Sequence, residues 1–404
     1  MIKNNLNFLN NIQKKNLDSK SIKKFTKLFP KIFSKVFTDI NSSKKTLNIL
    51  NRKFNFNFEF KDLEKFKSFK TIAIIGMGGS ILGSEAVSHF LKEKINKKIY
   101  FFNDLNIKKI QNFKKKKNLN KVLFFVISKS GNTIETLSNF FILKIIKKNS
   151  KNIIIISEKK NNLLYSLSKK FNLFYIEHKN YIGGRYSVLS EVGVVPAYLM
   201  GININKLRSG SLKSLKKTQL FLKDSTIMLS SLLSFKKIDN LIFLNYCPEL
   251  EKFLFWCQQL IAESLGKNGK GFLPTISNAP KDHHSLLQLY LDGPKNKLFY
   301  IFSHEESSKE KINIKEILKE KNFLNNKTLS SIKKAQKNAL IKTLKNKNIP
   351  FREFKIKNIN EEVLGELFSY FILETVIIGK LTNINPFDQP AVEQVKIYTK
   401  DLLN

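Results

Sequence analysis

Cysteine is nearly absent from this 404-residue chain, which contains only Cys247 and Cys257. These two residues form neither a Cys-x-x-Cys pair nor an evenly spaced disulfide framework, so a reducing compartment is expected. Long apolar runs are also missing, because the best candidate is interrupted by Glu374 and Lys380 before it reaches the roughly 18 residues of a membrane span. The start of the chain has no apolar segment typical of a secretory signal. We therefore expect a cytoplasmic protein.

Acidic residues are scarce, with 32 Asp and Glu against 71 Lys and Arg and a formal net charge of +39. Such an excess would normally suggest a nucleic acid or an anionic membrane as a partner. The lysines are spread through every segment rather than gathered on one helix or tail, which favours a compositional bias at solvent-facing positions. A diffuse positive field would also attract small anionic substrates at low salt. We expect neither a nucleic-acid nor a membrane partner.

The length exceeds what one hydrophobic core usually supports, so two domains are expected. Short β-branched runs alternate with longer runs whose apolar residues have helical spacing, a pattern typical of parallel sheets covered by helices. The predicted strands are 71–75, 99–102, 122–127, 153–156, 173–176, 241–245, 298–302 and 351–356, and the main predicted helices are 81–94, 134–147, 248–266, 328–345, 361–381 and 390–403. The last helix has Asp388 as a candidate cap. This alternation predicts an α/β fold with two doubly wound, flavodoxin-like units of mostly parallel sheet, followed by a C-terminal helix.

Two loops built from glycine and hydroxyl residues follow predicted strands and precede predicted helices. Backbone N–H groups and the helix dipole at such a position favour an anion, and hydroxyl side chains add donors. We predict a phosphate site made by Gly79, Ser80, Ser128, Ser130, Thr133 and the backbone N–H of Lys129. A dinucleotide fingerprint is the competing interpretation, but Ile81 stands where its third glycine should be. The Gly-Lys-Ser/Thr ending of an NTPase loop is absent as well.

Several later residues are candidates for chemistry. Arg185 follows a glycine pair, and its permanent charge suits an oxyanion. Glu263 lies near the end of a predicted helix, where the dipole disfavours a carboxylate and makes it a better proton acceptor near neutrality. Gln389 and Lys396 are about two helical turns apart, so both can face one cleft. Each of these residues taken singly could equally be structural or solvated.

His283 and His284 are adjacent, which suggests a metal ligand pair. No nearby cysteine or carboxylate completes a plausible ligand spacing, so we expect no metal and no cofactor. One of the two histidines is instead a candidate catalytic group. The residues alone leave open which of the two is catalytic and which is structural.

Taken together, these blocks resemble the glucose-6-phosphate isomerase, or phosphoglucose isomerase, family. The resemblance rests on Gly-Gly-Arg-Tyr-Ser at 183–187, Glu-Ser-Leu-Gly-Lys at 263–267, His-Ser before Leu-Gln-Leu-Tyr-Leu-Asp-Gly-Pro at 287–294, and Phe-Asp-Gln-Pro-Ala-Val-Glu-Gln-Val-Lys at 387–396. The two phosphate loops match the sugar-isomerase (SIS) domains of that family in the same order. Six blocks in one order, spanning about residues 72–400, are a highly specific signal.

The resemblance implies reversible isomerisation of glucose 6-phosphate and fructose 6-phosphate through a cis-enediol(ate), in glycolysis and gluconeogenesis. Glu263 matches the base, Arg185 the cation beside the intermediate, and His284 and Lys396 the groups that assist ring opening. The resemblance assigns the phosphate to Ser80, Ser128, Ser130 and Thr133, a substrate contact to Gln389, and orientation of the histidine to Glu135. In this family the histidine comes from the partner subunit, so a homodimer is implied.

The expected domains are a first SIS domain at 45–180, a second at 205–385, and a C-terminal helix at 386–404 that carries Lys396. Two alternatives stay open on the sequence. One is an isomerase that also accepts mannose 6-phosphate. The other is a non-catalytic sugar-phosphate sensor that acts on nucleic acid, although the joint presence of Glu263, Arg185, His284 and Lys396 disfavours it.

Overall fold

The structure, a computed structural model, describes residues 6–217, 219–235, 237–306, 308–314 and 322–404. Its strands are β1 Leu6–Asn11, β2 Thr71–Ile75, β3 Lys98–Phe102, β4 Val122–Ile127, β5 Ile153–Ser157, β6 Phe174–Glu177, β7 Asn240–Asn245, β8 Leu273–Asn278, β9 Lys297–His304 and β10 Phe351–Ile356. Its α-helices are α1 Ser19–Asn41, α2 Phe60–Leu63, α3 Leu82–Phe90, α4 Ile107–Lys116, α5 Ile134–Leu143, α6 Leu163–Lys170, α7 Glu191–Met200, α8 Ile204–Lys217, α9 Gln219–Phe235, α10 Glu251–Leu265, α11 Leu287–Asp292, α12 Leu329–Asn346, α13 Glu361–Leu381 and α14 Glu393–Asp401.

The first sheet contains five parallel strands in the order β3-β2-β4-β5-β6. All residues of β4 and β5 are buried, as expected for parallel strands that are covered by helices on both faces. After β3 the chain crosses to the other side of β2, so the direction of winding reverses between β2 and β4. Ligands of open α/β sheets bind at this switch point, beyond the carboxyl ends of the strands. The two predicted phosphate loops follow β2 and β4 and therefore meet there.

The second sheet has the order β1-β10-β9-β7-β8, in which β7 to β10 are parallel and β1 is antiparallel to β10. The edge strands β1 and β8 were not predicted from the sequence. β8 contains Pro274, and β1 is rich in asparagine, residues that are depleted in strands but tolerated at a sheet edge. The two sheets with their flanking helices confirm the predicted α/β class.

Helix α13 runs through the interior, with nearly every side chain buried from Glu361 to Leu381. It packs against α8, α9 and α10. The all-round burial explains why its sequence is apolar on every face except for a few buried acidic side chains. Among the described residues, no helix combines the length and the apolarity needed to cross a bilayer.

The C-terminal helix differs in detail from its prediction. It begins with a 3-10 turn at Pro390–Val392, and α14 follows at Glu393–Asp401. The expected cap by Asp388 is wrong, because Gln389 occupies the cap position and makes no side-chain cap bond. Asp388 instead pairs with Lys267 at 2.8 Å, and hydrogen bonding from Lys267 lowers the pKa of Asp388. The ion pair joins the segment before α14 to the end of α10.

Candidate functional site

The loop after β4 gathers three hydroxyl side chains at the start of α5. Ser128 Oγ lies 2.8 Å from Thr133 Oγ1 and 3.4 Å from Ser130 Oγ. Thr133 is the N-cap residue of α5 but makes no side-chain cap bond, so the first-turn amides and the helix dipole stay available to an anion. Gly131 has φ +70°, and a Cβ there would lie 1.8 Å from Asn162 Oδ1, so the turn requires glycine. The loop therefore gathers three hydroxyl groups beside the open N-terminus of α5.

Lys129 belongs to this loop, but its side chain is directed away from the hydroxyl groups. Its Nζ donates to the backbone carbonyl of Asn180 at 2.8 Å and lies 3.7 Å from Glu158 Oε1. Burial lowers the pKa of Lys129, although Glu158 opposes that shift. The side chain therefore anchors the loop to its neighbours. The contribution of the Lys129 backbone N–H to an anion site stays a prediction.

The loop after β2 forms the 3-10 helix Gly78–Ser80, which packs against a second 3-10 helix, Gly184–Leu189. A Cβ at Gly79 would lie only 2.1 Å from the carbonyl carbon of Gly184, so glycine is required for this approach. The contact places Arg185 directly behind the first loop. Ser80 ends the loop partly exposed, and no hydrogen bond to its side chain occurs within the described ranges.

Arg185 is the centre of the site. Its side chain is only 2% exposed, and every one of its five N–H groups has an acceptor. Nε donates to Ser264 Oγ at 2.8 Å, Nη1 to Glu263 Oε2 at 3.2 Å and to Gln389 Oε1, and Nη2 to the backbone carbonyls of Pro386 at 2.6 Å and Asp388 at 3.0 Å. A buried guanidinium with all donors satisfied is fixed in place.

Glu263 lies in the last turn of α10 and is held at both carboxylate oxygens. Oε2 accepts from Arg185, and Oε1 accepts from Gln259 Nε2 at 2.9 Å. Its side chain nevertheless stays 29% exposed, so a face of the carboxylate is open to a ligand. Gln259 also contacts the first loop, since its Nε2 would be 2.7 Å from a Cβ on Gly78. Gln259 was not predicted as a site residue, although its position four residues before Glu263 puts it on the same helix face.

A cleft of about 670 Å³ separates the loop after β4 from α14. Ser130, Thr133 and Glu135 line one wall, and Lys396 lines the other. Lys396 is more than half exposed and pairs with Glu393 at 2.6 Å. Gln389 accepts a hydrogen bond from Arg185, so it lies beside the arginine. Lys396 lies across the cleft from Ser130 and Thr133.

The two adjacent histidines have different surroundings on the 3-10 helix Lys281–His284. His283 Nε2 is 2.6 Å from Tyr246 Oη, and burial together with the neighbouring His284 lowers the pKa of His283. His284 is exposed and is not among the residues that line the cleft. Among the described residues, no hydrogen bond or ion pair joins His284 to Glu263, Glu135 or Lys396. Within the described part of the chain, no group of three His, Cys, Asp or Glu side chains could hold a metal ion.

Known proteins resemble this chain over most of its length. Residues 33–404 match the family model described as phosphoglucose isomerase. A probable glucose-6-phosphate isomerase of Methanococcus maripaludis is 35% identical over 384 residues, covering 88% of this chain and 86% of that protein. The glucose-6-phosphate isomerase of Methanocaldococcus jannaschii is 33% identical over 349 residues, covering 83% and 86%.

A solved structure also matches along the whole chain. The crystal structure of a glucose-6-phosphate isomerase from Chlamydia trachomatis superposes with a TM-score of 0.77 at 16% identity, covering 99% of this chain and 88% of that one. At that identity the superposition supports the fold, while the family model and the two archaeal relatives carry the assignment. The chain belongs to the phosphoglucose isomerase family.

Proposed function

We propose that the chain interconverts glucose 6-phosphate and fructose 6-phosphate by moving a proton between the first two sugar carbons through a cis-enediol(ate). The observation that carries this proposal is the carboxylate of Glu263, held by Arg185 on one oxygen and Gln259 on the other while one face stays open. A base that is fixed in orientation and accessible to substrate is what this proton transfer requires.

The phosphate would bind at the opposite end of the substrate. Ser128, Ser130 and Thr133 supply hydroxyl donors beside the N-terminus of α5, and Ser80 with the backbone at Gly79 and Lys129 supplies the rest. Fixing the phosphate dianion in this loop orients the carbons toward Glu263. The loop thereby supplies binding energy for orientation rather than chemistry.

The other charged groups would serve the intermediate and the ring-opening step. Arg185 places a permanent positive charge within hydrogen-bond distance of the base, where negative charge passes between substrate and carboxylate. Lys396 and His284 would exchange protons with the ring oxygen and the hydroxyl group on carbon 1. Gln389 would contact the substrate, and Glu135 would orient the imidazole.

His284 would act in the site of a second copy of the chain. Its exposed position away from the cleft fits a homodimer in which each subunit provides this histidine to its partner. The cytoplasmic location predicted from the sequence is part of the same proposal. Each site would then combine residues of two chains.

The test of the reaction is Glu263→Gln, which keeps the shape of the side chain and removes the base. We expect kcat for fructose 6-phosphate to fall by at least about a hundredfold, the lower range of general-base contributions. Glu93→Gln, at an exposed position outside the site, is the matched control and should retain wild-type turnover. Near-wild-type kcat in the Glu263→Gln protein would refute the assigned base.

A further inference from the structure

We propose that Ser264 and Tyr186 are positioning residues for the isomerase reaction, because they complete a buried ring of hydrogen bonds that fixes the guanidinium of Arg185 against Glu263. This inference rests on the proposed function and assigns roles that the motifs alone do not reveal. Ser264 immediately follows the proposed base, and Tyr186 immediately follows the arginine.

The ring has four members. Arg185 Nε donates to Ser264 Oγ at 2.8 Å, Ser264 Oγ lies 2.8 Å from Tyr186 Oη, and Tyr186 Oη donates to the carbonyl of Pro386 at 2.7 Å. Arg185 Nη2 donates to the same carbonyl at 2.6 Å and closes the ring.

Proton counting fixes the direction of every bond in this ring. Arginine can only donate and a carbonyl can only accept. Tyr186 has one hydroxyl proton, which the Pro386 carbonyl receives, so the Ser264 hydroxyl must donate to Tyr186 while it accepts from Arg185. Burial raises the pKa of Tyr186, which keeps the phenol protonated and able to donate. The arrangement has one consistent orientation.

The ring is sealed from water and controls where Arg185 points. Ser264 and Tyr186 are fully buried, so water cannot replace a missing hydroxyl without rearrangement. The guanidinium is planar, so the bonds at Nε and Nη2 determine where Nη1 lies. Nη1 is the nitrogen that donates to Glu263 and Gln389. Ser264 and Tyr186 therefore orient the proposed base through the arginine, without touching substrate.

The ring also joins parts of the chain that are distant in sequence. Trp256 Nε1 donates to the backbone carbonyl of Arg185 at 3.1 Å, so α10 holds the arginine from behind as well. The Pro386 carbonyl belongs to the segment that leads to Gln389. Losing the Ser264 hydroxyl would remove the bond that fixes Nε of Arg185 to α10, and it would leave that buried N–H without an acceptor and the Tyr186 oxygen without its donor.

The test compares Ser264→Ala and Tyr186→Phe with Ser168→Ala, a buried serine of α6 whose hydroxyl donates to the Tyr165 carbonyl at 2.7 Å outside the site. We expect Ser264→Ala to lower kcat for fructose 6-phosphate by roughly ten- to a hundredfold, with KM changed by less than about threefold because the phosphate loops are untouched. Tyr186→Phe should lower kcat less, because Ser264 still accepts from Arg185. Ser168→Ala should match the wild type.

Circular dichroism and thermal unfolding establish that each variant is folded. If Ser264→Ala does not fold, Tyr186→Phe decides the question: a reduced kcat at unchanged KM supports the ring, and wild-type kinetics overturn it. Wild-type kcat in a folded Ser264→Ala protein, or a change confined to KM, also overturns it. If the wild type and Ser168→Ala are inactive on both sugar phosphates, the proposed function fails, and this positioning role fails with it.

Discussion

At the scale of single residues, the two central charged side chains of the site are held by hydrogen bonds rather than left without partners. Arg185 uses all five donors, and Glu263 accepts at both oxygens. In a buried setting such saturation avoids the penalty of an unpaired charge and restricts each side chain to one geometry. In the proposed reaction, the exposed face of Glu263 is where the substrate proton would be received.

His178 gives a residue-scale prediction for the dependence of stability on pH. It is buried near Lys129 and Glu158, and burial lowers the pKa of His178 to about 4. The unfolded chain binds this proton near pH 6.5, so the stabilising contribution is complete above that pH and is lost as the pH falls toward 4. The wild type should therefore lose more unfolding free energy than His178→Gln between about pH 6.5 and 4.5. Urea unfolding of both proteins across that pH range measures their unfolding free energies. Equal losses in the two proteins as the pH falls would contradict the prediction.

The residue-scale site was only partly predictable from sequence. Arg185 and Glu263 were identified from their motifs, and the structure brings them together. Ser264 and Tyr186 were missed as supports because their roles depend on contacts between α10, the segment before α7 and the residues before α14, whereas Gln259, one helical turn before Glu263, did have a local signal. Hydrogen-bond partners separated by 78 to 204 positions leave no local pattern in a single sequence.

At the scale of elements, the second sheet and its covering helices are joined by a buried ion pair. Arg352 on β10 donates to Glu374 on α13 at 2.9 Å, and both side chains are buried. Tyr370 also donates to Glu374, at 2.6 Å. Two buried charges stabilise the native packing only when both are present. Either one alone would keep the free-energy cost of leaving water without the attraction of its partner.

Glu374→Leu should consequently lower the free energy of unfolding by about 3–5 kcal/mol, since it leaves Arg352 buried without its partner. The double variant Arg352→Met with Glu374→Leu should recover most of that loss. Lys61→Ala removes an exposed ion pair with Glu59 and should change stability by less than about 1 kcal/mol. Urea unfolding followed by circular dichroism compares the three. Equal losses of unfolding free energy in Glu374→Leu and in the double variant would show that the unpaired Arg352 does not cause the loss.

Elements were predicted well where their burial is uniform. The strands 71–75, 122–127 and 351–356 and the helix 361–381 match β2, β4, β10 and α13 in their bounds. The apolar character of β2, β4 and α13 follows from packing on all sides, which the sequence displays directly. Edge strands β1 and β8 escaped prediction because an edge tolerates asparagine and proline, and the helix predicted to reach residue 147 ends at Leu143, after which Lys144 adopts φ +53°.

At the scale of the whole molecule, one chain provides Glu263, Arg185 and the phosphate loops, whereas His284 lies exposed away from the cleft that Glu135 and Lys396 line. A symmetric dimer supplies the same surface twice and can deliver His284 to both sites at once. In this proposal the dimer completes each catalytic site, in addition to setting the number of subunits.

Subunit complementation tests this assembly. Glu263→Gln and His284→Ala should each be nearly inactive as homodimers. In a mixed dimer one site receives both substitutions and the other receives neither, so co-expression of the two variants should restore about a quarter of wild-type activity with random pairing. No restored activity from a verified mixed dimer, or a monomer by light scattering, would contradict the shared site.

The sequence by itself determined the α/β class, the family and the candidates for chemical roles, because buried parallel strands and short motif blocks are local patterns. Only the tertiary structure decided which groups meet. It gives every N–H donor of Arg185 an acceptor and directs the Lys129 side chain away from the hydroxyl groups of its own loop. It also pairs His283 with Tyr246 while His284 stays exposed, and it adds β1 to the second sheet. The physical reason is that hydrogen-bond partners and sheet edges are set by packing between distant segments, whereas periodicity and motifs are written along the chain.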